Sequence, residues 1–542
     1  MNRIYFTISL LLLAGASMSA QNIDPTVEVS RDYEGKLVEV HKPSIDMAVP
    51  DTMHVFDLEF DYSVFENPYK GAYEFNPYVL EMKPSSSLNE AGKFYLNAGA
   101  GYTLHPLFDL LWSPLVKGPF KVDVYGTHRS YIGKYRALSQ LPQWNGYDLF
   151  SKAGADLGYD WKKAALGFGA FYEGVADKDY RRSRSLNAVN AYVSLKSKSS
   201  WPENFLYDLR ASYRFAEENM SRLGEHDLRL DAVLGPNFGR KGKVLIDAGV
   251  DLVSYAGALE STVGSFRLTP HYVLAKGRLR LDVGVCVSAV ASSGISGLTK
   301  GQVVYPDVRV DLDVLPEAMR LYLNVGGGEK FNTYSSLVAS NHHLDLGYGL
   351  NGLSSVMGLT VERVSAVLGL EGRITSFFSY DLKGGYSNFK SALLDCVIYD
   401  DGGRVSPAVG YAPFSKWFAS FDWALDLDNI RFDGALEYTH AFALPSENLI
   451  GPSALTGDVS LMYNWKKRVY AGVDCEFASY RASRAGFRVP GYADLGISAE
   501  YVMNRKLSFW LRGGNLLDME IQRNLMFAEK GINFTAGICL KL

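Results

Sequence analysis

Nine histidines stand at positions 41, 54, 105, 128, 226, 271, 342, 343 and 440, and they are the first residues to test for chemistry. A zinc hydrolase carries two histidines one helical turn apart around a glutamate, and a serine hydrolase of the elbow type needs Gly-x-Ser-x-Gly. Neither pattern occurs. His342-His343 is the one adjacent pair, set in an expected loop, where solvation outweighs a metal role. Cys286, Cys396, Cys475 and Cys539 are far apart, with no Cys-x-x-Cys and no histidine beside any of them. They read as small unpaired side chains in strands. Val325 to Phe331, "VGGGEKF", lacks the Lys-Ser/Thr and the strand-to-helix context of a phosphate loop, so it reads as a strand end turning into a loop. Acidic residues and serines are plentiful, yet no spacing selects a catalytic set. No enzyme, cofactor or metal site is expected.

The elements that would position these residues are strands. Leu279, Leu281, Val283, Val285 and Val287 alternate with Arg278, Arg280, Asp282, Gly284 and Cys286. The last stretch alternates without a break: Ile532, Phe534, Ala536, Ile538, Leu540 and Leu542 form an apolar face, and Asn533, Thr535, Gly537, Cys539 and Lys541 the other. Ten to eleven such residues match a tilted membrane-crossing strand, although a soluble sandwich strand has the same period. Three features favour the membrane. About 22 such segments recur at about 20 residues each with no domain break. Charges of both signs sit on one face, as a wet lumen permits. Aromatics such as Tyr159, Trp161, Tyr463, Trp465 and Tyr501 end the apolar faces, as interfacial girdles do. The expected fold is all-β: a large antiparallel transmembrane β-barrel of about 22 strands.

Three parts divide the chain. Residues 1–20 read as a secretory signal peptide, with Arg3, an apolar run from Ile4 to Ala16 and small residues before Gln21. Residues 21–92 form an acidic periplasmic or lumenal arm with 14 Asp+Glu against 5 Lys+Arg, a net of −9. With −4 for the whole chain and +1 for residues 1–20, the barrel, residues 93–542, carries −4 + 9 − 1 = +4. Within the arm, "YSVFENPYKGAYEFNPYVLEM" (Tyr62 to Met82) holds the aromatics Phe65, Tyr69, Tyr73 and Phe75, which a free linker would not need. They are candidates for docking on a lumen or on a partner. Links between strands alternate long and short back from Leu542, and short turns are periplasmic in bacterial barrels, so both termini are expected on the periplasmic side. Many short turns are basic, among them Lys162-Lys163 and Lys466-Lys467-Arg468. The slightly acidic chain makes no case for nucleic acid.

Val489 to Ile521, "VPGYADLGISAEYVMNRKLSFWLRGGNLLDMEI", resembles the closing strands of the TonB-dependent receptor family, in its C-terminal β-barrel part and in a Bacteroidota-type outer-membrane form. Asn515, Leu516, Leu517 and Asp518 match the family's Asn-Leu-Phe-Asp element. The family's usual terminal aromatic is replaced by Leu542, and the 72 residues of the arm are fewer than the family's plug domain has. The resemblance implies a Gram-negative outer-membrane barrel, in contact with outer-membrane lipid and the barrel assembly machinery, that transports a bulky nutrient without a plug. The alternative is a non-transporting structural or docking subunit of an outer-membrane complex, with a periplasmic or outer-membrane protein partner. A barrel of this width leaks unless its lumen is filled, by the arm, by inward-folded loops or by another protein.

Overall fold

The computed structural model describes residues 94–542, apart from 103, 115–117, 137, 139–142, 179–181, 199–204, 240–241, 296–297, 299–300, 317, 345–355, 400–404 and 443. Residues 1–20, the arm, and Phe65, Tyr69, Tyr73 and Phe75 therefore lie outside the described residues.

The alternating segments become 22 strands, joined in one antiparallel ring: β1 (Phe94–Gly101), β2 (Leu107–Trp112), β3 (Phe120–Tyr135), β4 (Trp144–Asp160), β5 (Ala164–Lys178), β6 (Ser183–Ser197), β7 (Phe205–Glu218), β8 (Leu223–Pro236), β9 (Lys243–Ala256), β10 (Ser261–Lys276), β11 (Leu279–Ser293), β12 (Gly301–Leu315), β13 (Met319–Asn332), β14 (Gly358–Thr375), β15 (Phe378–Tyr399), β16 (Val405–Asp426), β17 (Ile430–Ala441), β18 (Leu455–Trp465), β19 (Val469–Ala478), β20 (Tyr492–Val502), β21 (Leu507–Gly514) and β22 (Asn533–Lys541). Each pairs with its neighbour, and β1 closes the ring on β22 from Tyr95↔Lys541 to Gly101↔Thr535. Closure leaves no unpaired edge in a hydrocarbon layer. At the seam, Trp510 of β21 lies over Gly99 and Gly537, where added Cβ atoms would stand 2.6 and 2.3 Å from its indole. Its Nε1–H donates to Asn97 Oδ1 at 2.7 Å. Two glycines thus make room for a ring that staples first strand to last.

The period of two separates a lipid face from a lumen. On β18, Leu461 is 45% exposed on the outside, while its neighbour Ser460 stands across from Asp433 on one side and Asp474 on the other. On β22, Phe534, Ala536 and Ile538 are exposed and Leu540 is half-buried, with Ile532 and Leu542 exposed just beyond its ends. Tyr463, Trp465 and Tyr501 crowd the end that carries the short turns. No helix among the described residues is long and apolar enough to cross a membrane.

Two expectations need correcting. Val325 to Phe331 lies inside β13, because the register with β14 shifts between Gly326 and Gly328 and the ladder resumes to Asn332. A bulge absorbs the glycines, so the strand continues through them. The link after β13 also contains a helix, α1 (Tyr334–Ser340), which alternation does not foreshadow. Thr333 caps it by accepting the Ser336 N–H at 3.1 Å.

Candidate functional site

The long links fold into the mouth of the barrel. Leucine and valine on α1, Leu337 and Val338, are buried with Tyr334 against inward residues of the wall: Val175 of β5, Leu186 of β6, Leu223 of β8, Tyr255 of β9 and Val263 of β10. Tyr411 of β16 donates to Val356 O at 3.1 Å, so the same link is tied to the far wall as well. A second link, from Asn515 to Ile532, sends Leu525, Met526 and Ala528 against Val397 of β15 and Val405 of β16. Its Phe527 packs on Tyr131, Tyr135 and Trp144 of β3 and β4. The two links meet where His343 stacks on Phe527, with ring centroids 4.1 Å apart and planes at 7°. The space left beside this stack is a cavity of about 10 Å³, room for a single water. The described parts of these two links therefore fold inward and meet within the mouth at the long-link end.

Buried charge fastens the cap. Arg184 and Asp177 are 1% and 0% exposed, and Arg184 donates through Nε and Nη2 to Asp177 Oδ1 at 3.0 and 2.8 Å. Its Nη1 reaches the Tyr334 hydroxyl at 3.3 Å, which links wall to helix. The Tyr334 N–H donates to the Tyr255 hydroxyl at 3.2 Å, and the Ser335 N–H to Glu225 Oε2 at 3.1 Å. A carboxylate thus meets the first turn of α1, where backbone N–H groups have no partner within the helix. Beyond the helix, His342 Nδ1 lies 3.0 Å from Asp148 Oδ1, its ring stacked on Phe150. Burial pushes the His342 imidazole toward the neutral form, but the Asp148 hydrogen bond and charge, with Asp177 behind, win and raise its pKa. His343 Nδ1 stands 3.7 Å from Asp177 Oδ2. The histidine pair is therefore a pair of cap contacts, correcting the expectation of solvated loop residues. At the seam, burial and then Lys530 depress His105 to about 4, and it stacks on Tyr131.

The stretch Asn515 to Asp518 is the hinge of the second link. Asn515 and Asp518 adopt φ of 47° and 51°, a region that asparagine and aspartate tolerate best among side-chain-bearing residues. Asn515 Nδ2 donates to Met519 O at 2.9 Å and Lys530 O at 3.2 Å, and its Oδ1 accepts the Met519 N–H at 2.9 Å. One side chain thus joins both ends of the link. Asp518 pairs with Arg136 at 2.8 Å, Leu516 continues the ladder to Leu495 O, and Leu517 is 52% exposed. Deeper in the link, Arg523 bonds Glu476 at 2.8 Å, Asp494 at 3.0 Å and Glu529. Burial opposes its charge, but Glu476 and Glu529 outweigh burial and raise its pKa. No group of three or more histidine, cysteine or acidic side chains among the described residues is placed to hold a metal ion.

Comparison with known proteins finds likeness in fold. No family model and no curated protein matches the chain. Among solved structures, the copper transporter OprC aligns over 84% of this chain and 81% of its own at a TM-score of 0.63 and 13% identity. The siderophore receptor PiuA from Acinetobacter baumannii aligns over 84% and 82% at 0.63 and 8%. The ferric-catecholate import receptor Fiu from E. coli K12, in its closed form, aligns over the same shares at 0.62 and 9%. In fold the chain is a closed 22-strand antiparallel β-barrel similar to the barrels of these proteins.

Proposed function

We propose that the chain is an outer-membrane transport barrel for a bulky nutrient, held shut at rest by its own inward-folded links. The long links then face the outside, and the short turns and both termini face the periplasm. The observation that carries this reading is the ion-paired cap. Buried pairs add little net stability, because desolvation offsets their attraction, but they hold one geometry and release hydratable groups when they part. A lumen lined by charges of both signs and walled by 22 strands is wide enough for a large polar solute.

Planar-bilayer recording with the full chain and with a variant lacking residues 334–344 tests the reading. The full chain should be silent, and the variant should conduct ions and pass large sugars in vesicle-swelling assays. Steady conductance by the full chain, or a silent variant, would sink it.

A second reading, the docking subunit, draws support from the aromatics between Tyr62 and Tyr78 in an arm of net −9. Removing residues 22–87 leaves every described ladder strand in place and should leave a folded barrel. A stoichiometric protein that co-purifies with the full chain and is lost on that deletion favours docking; the same preparation from both favours transport.

A further inference from the structure

His128, scattered in sequence among unrelated residues, stands in the fold on the outside of the barrel within a directed chain of hydrogen bonds. Its neighbours Thr127 and Arg129 both bond Asp109 in the lumen, at 2.7 and 2.9 Å, so His128 and Ser130 face outward. Across the ladder, His128 pairs with Phe108 of β2, itself 39% exposed, and with Ser151 of β4. His128 Nδ1 lies 2.8 Å from Ser151 Oγ and Nε2 lies 3.1 Å from Ser130 Oγ. Ser130 Oγ donates to Pro106 O at 3.0 Å.

That last bond sets the direction of the others. With its proton on the Pro106 carbonyl, Ser130 must accept from Nε2–H. A neutral imidazole protonated at Nε2 offers a bare Nδ1, and the Ser151 hydroxyl must donate to it. Nucleophile, base and orienting acceptor thus stand in line, the arrangement that activates a serine elsewhere. What sets His128 apart is that a serine hydroxyl engages each of its ring nitrogens.

The level in the membrane narrows the substrate. Ser151 and Tyr159 share the outer face of β4; at 3.3 Å per residue and a tilt of about 40°, Ser151 stands roughly 20 Å along the normal from that aromatic row. The apolar band is about 25 Å tall, so the serine sits at its far edge, where acyl esters meet water. Gly174 lies directly across from Ser151, and the Tyr172 hydroxyl covers it, 2.5 Å from where a Cβ would be. That hydroxyl now donates to Asn187 Oδ1 at 2.6 Å and is a donor that can turn to a carbonyl oxygen beside the serine.

We propose that Ser151 and His128 are catalytic residues of an acyl-ester hydrolase on the lipid face, with Ser130 as the positioning residue and a membrane lipid as substrate. Ser151 Oγ attacks the ester carbonyl as His128 Nδ1 takes its proton. The bond to the lipid alcohol breaks, and the alcohol leaves with that proton. Water then attacks the Ser151 acyl ester, His128 takes and returns a proton, and a free fatty acid departs. This activity is independent of the lumen and of the transport reading.

The test uses the full chain, its folding checked by faster gel migration unboiled than boiled, in vesicles of phosphatidylethanolamine and phosphatidylglycerol with or without lipopolysaccharide. A long-chain fluorophosphonate should label Ser151. Ser151→Ala should abolish the label, and His128→Gln should slow it about a hundredfold or more, the range for loss of a general base. Ser130→Ala should slow it and move the midpoint of its pH profile, with Ser130→Thr restoring both. Fatty acid released in the first vesicles assigns a phospholipid substrate, and release that needs lipopolysaccharide assigns its acyl chains. Absence of label and of fatty acid in both vesicles, or label and release that persist in Ser151→Ala, would overturn the proposal.

Discussion

Replacing Arg184 by methionine should open the cap while leaving the barrel intact. The guanidinium is 1% exposed and Asp177 is 0% exposed, so the variant strands a carboxylate in the closed state with its main countercharge gone. Breaking a buried pair from one side costs about 3 to 5 kcal/mol. When the cap lifts, water reaches Asp177, and the penalty disappears from the open state. At about 1.4 kcal/mol per decade, the open-to-closed ratio should rise roughly 140- to 4,000-fold. Tyr334 also loses its bond from Arg184, which acts in the same direction. Planar-bilayer recording reads the change as opening frequency, with gel migration before and after boiling as the control for a folded barrel. Adding Asp177→Leu should restore closure, since replacing both members of a buried pair by apolar residues is often neutral. A silent Arg184→Met channel, or a double variant as leaky as the single one, would refute the ion pair as the fastening of the cap.

Closure should depend on pH in two windows. His342 has a raised pKa, so its contribution is complete below the ordinary value of about 6.5 and lost as pH rises through the folded value. His105 is depressed to about 4, so its contribution is present above about 6.5 and lost as pH falls toward 4. Opening frequency should therefore be lowest near about pH 6.5, and His342→Gln should flatten the alkaline limb; a frequency that falls steadily from pH 6 to 9 contradicts the signs. Arginine at Leu461 should cost about 2 to 4 kcal/mol of barrel stability, while arginine at Ser460, between Asp433 and Asp474, should be tolerated. Equal folding yields in vesicles would reverse the assignment of faces. Asn515→Ala removes three side-chain hydrogen bonds at a residue with φ of 47° and should cost about 1 to 3 kcal/mol locally. Limited proteolysis should then cut between residues 515 and 532, and unchanged resistance would argue against the hinge.

The wall was legible because its rule is local. A strand of β11 or β22 shows its two faces in any ten residues, and the rule repeats around the ring. The site was not legible, because its parts are brought together by closure rather than by spacing. Arg184 and Asp177 meet across one hairpin, but Tyr334 joins them from 150 positions away. His342 finds Asp148 at a separation of 194. A signal did exist in the link after β13: Thr333 before "YSSLVAS" is an N-cap ahead of an apolar pair, in a run too long for a turn. The lipid-face relay was hidden for the opposite reason. Expecting polar residues in the lumen directs attention inward, and only the parity of β3 against Asp109 turns His128 outward.

The chemistry of the cap bears on how such a barrel can be both tight and operable. A lid held by apolar burial alone resists opening in proportion to the area it exposes; Tyr334, Leu337 and Val338 together represent about 5 to 9 kcal/mol at 1.5 to 3 kcal/mol each. Arg184, Asp177, Glu225 and His342 act differently. In the transport reading proposed above they would lose hydration when the cap seats and regain it when the cap lifts, and so sharpen the closed geometry while lowering the resistance that the apolar residues set up. A solute that binds the lifted state needs to supply only the difference, and by mass action its concentration then sets the open fraction. Replacing the four charged groups by well-packed apolar residues should consequently give a barrel that is folded, silent and harder to open than the natural chain. Ligand or voltage steps that open the natural barrel in bilayers would leave such a variant shut. If the apolar variant instead opened as readily, the charges would serve fit alone, and control of the lumen would have to lie elsewhere in the chain.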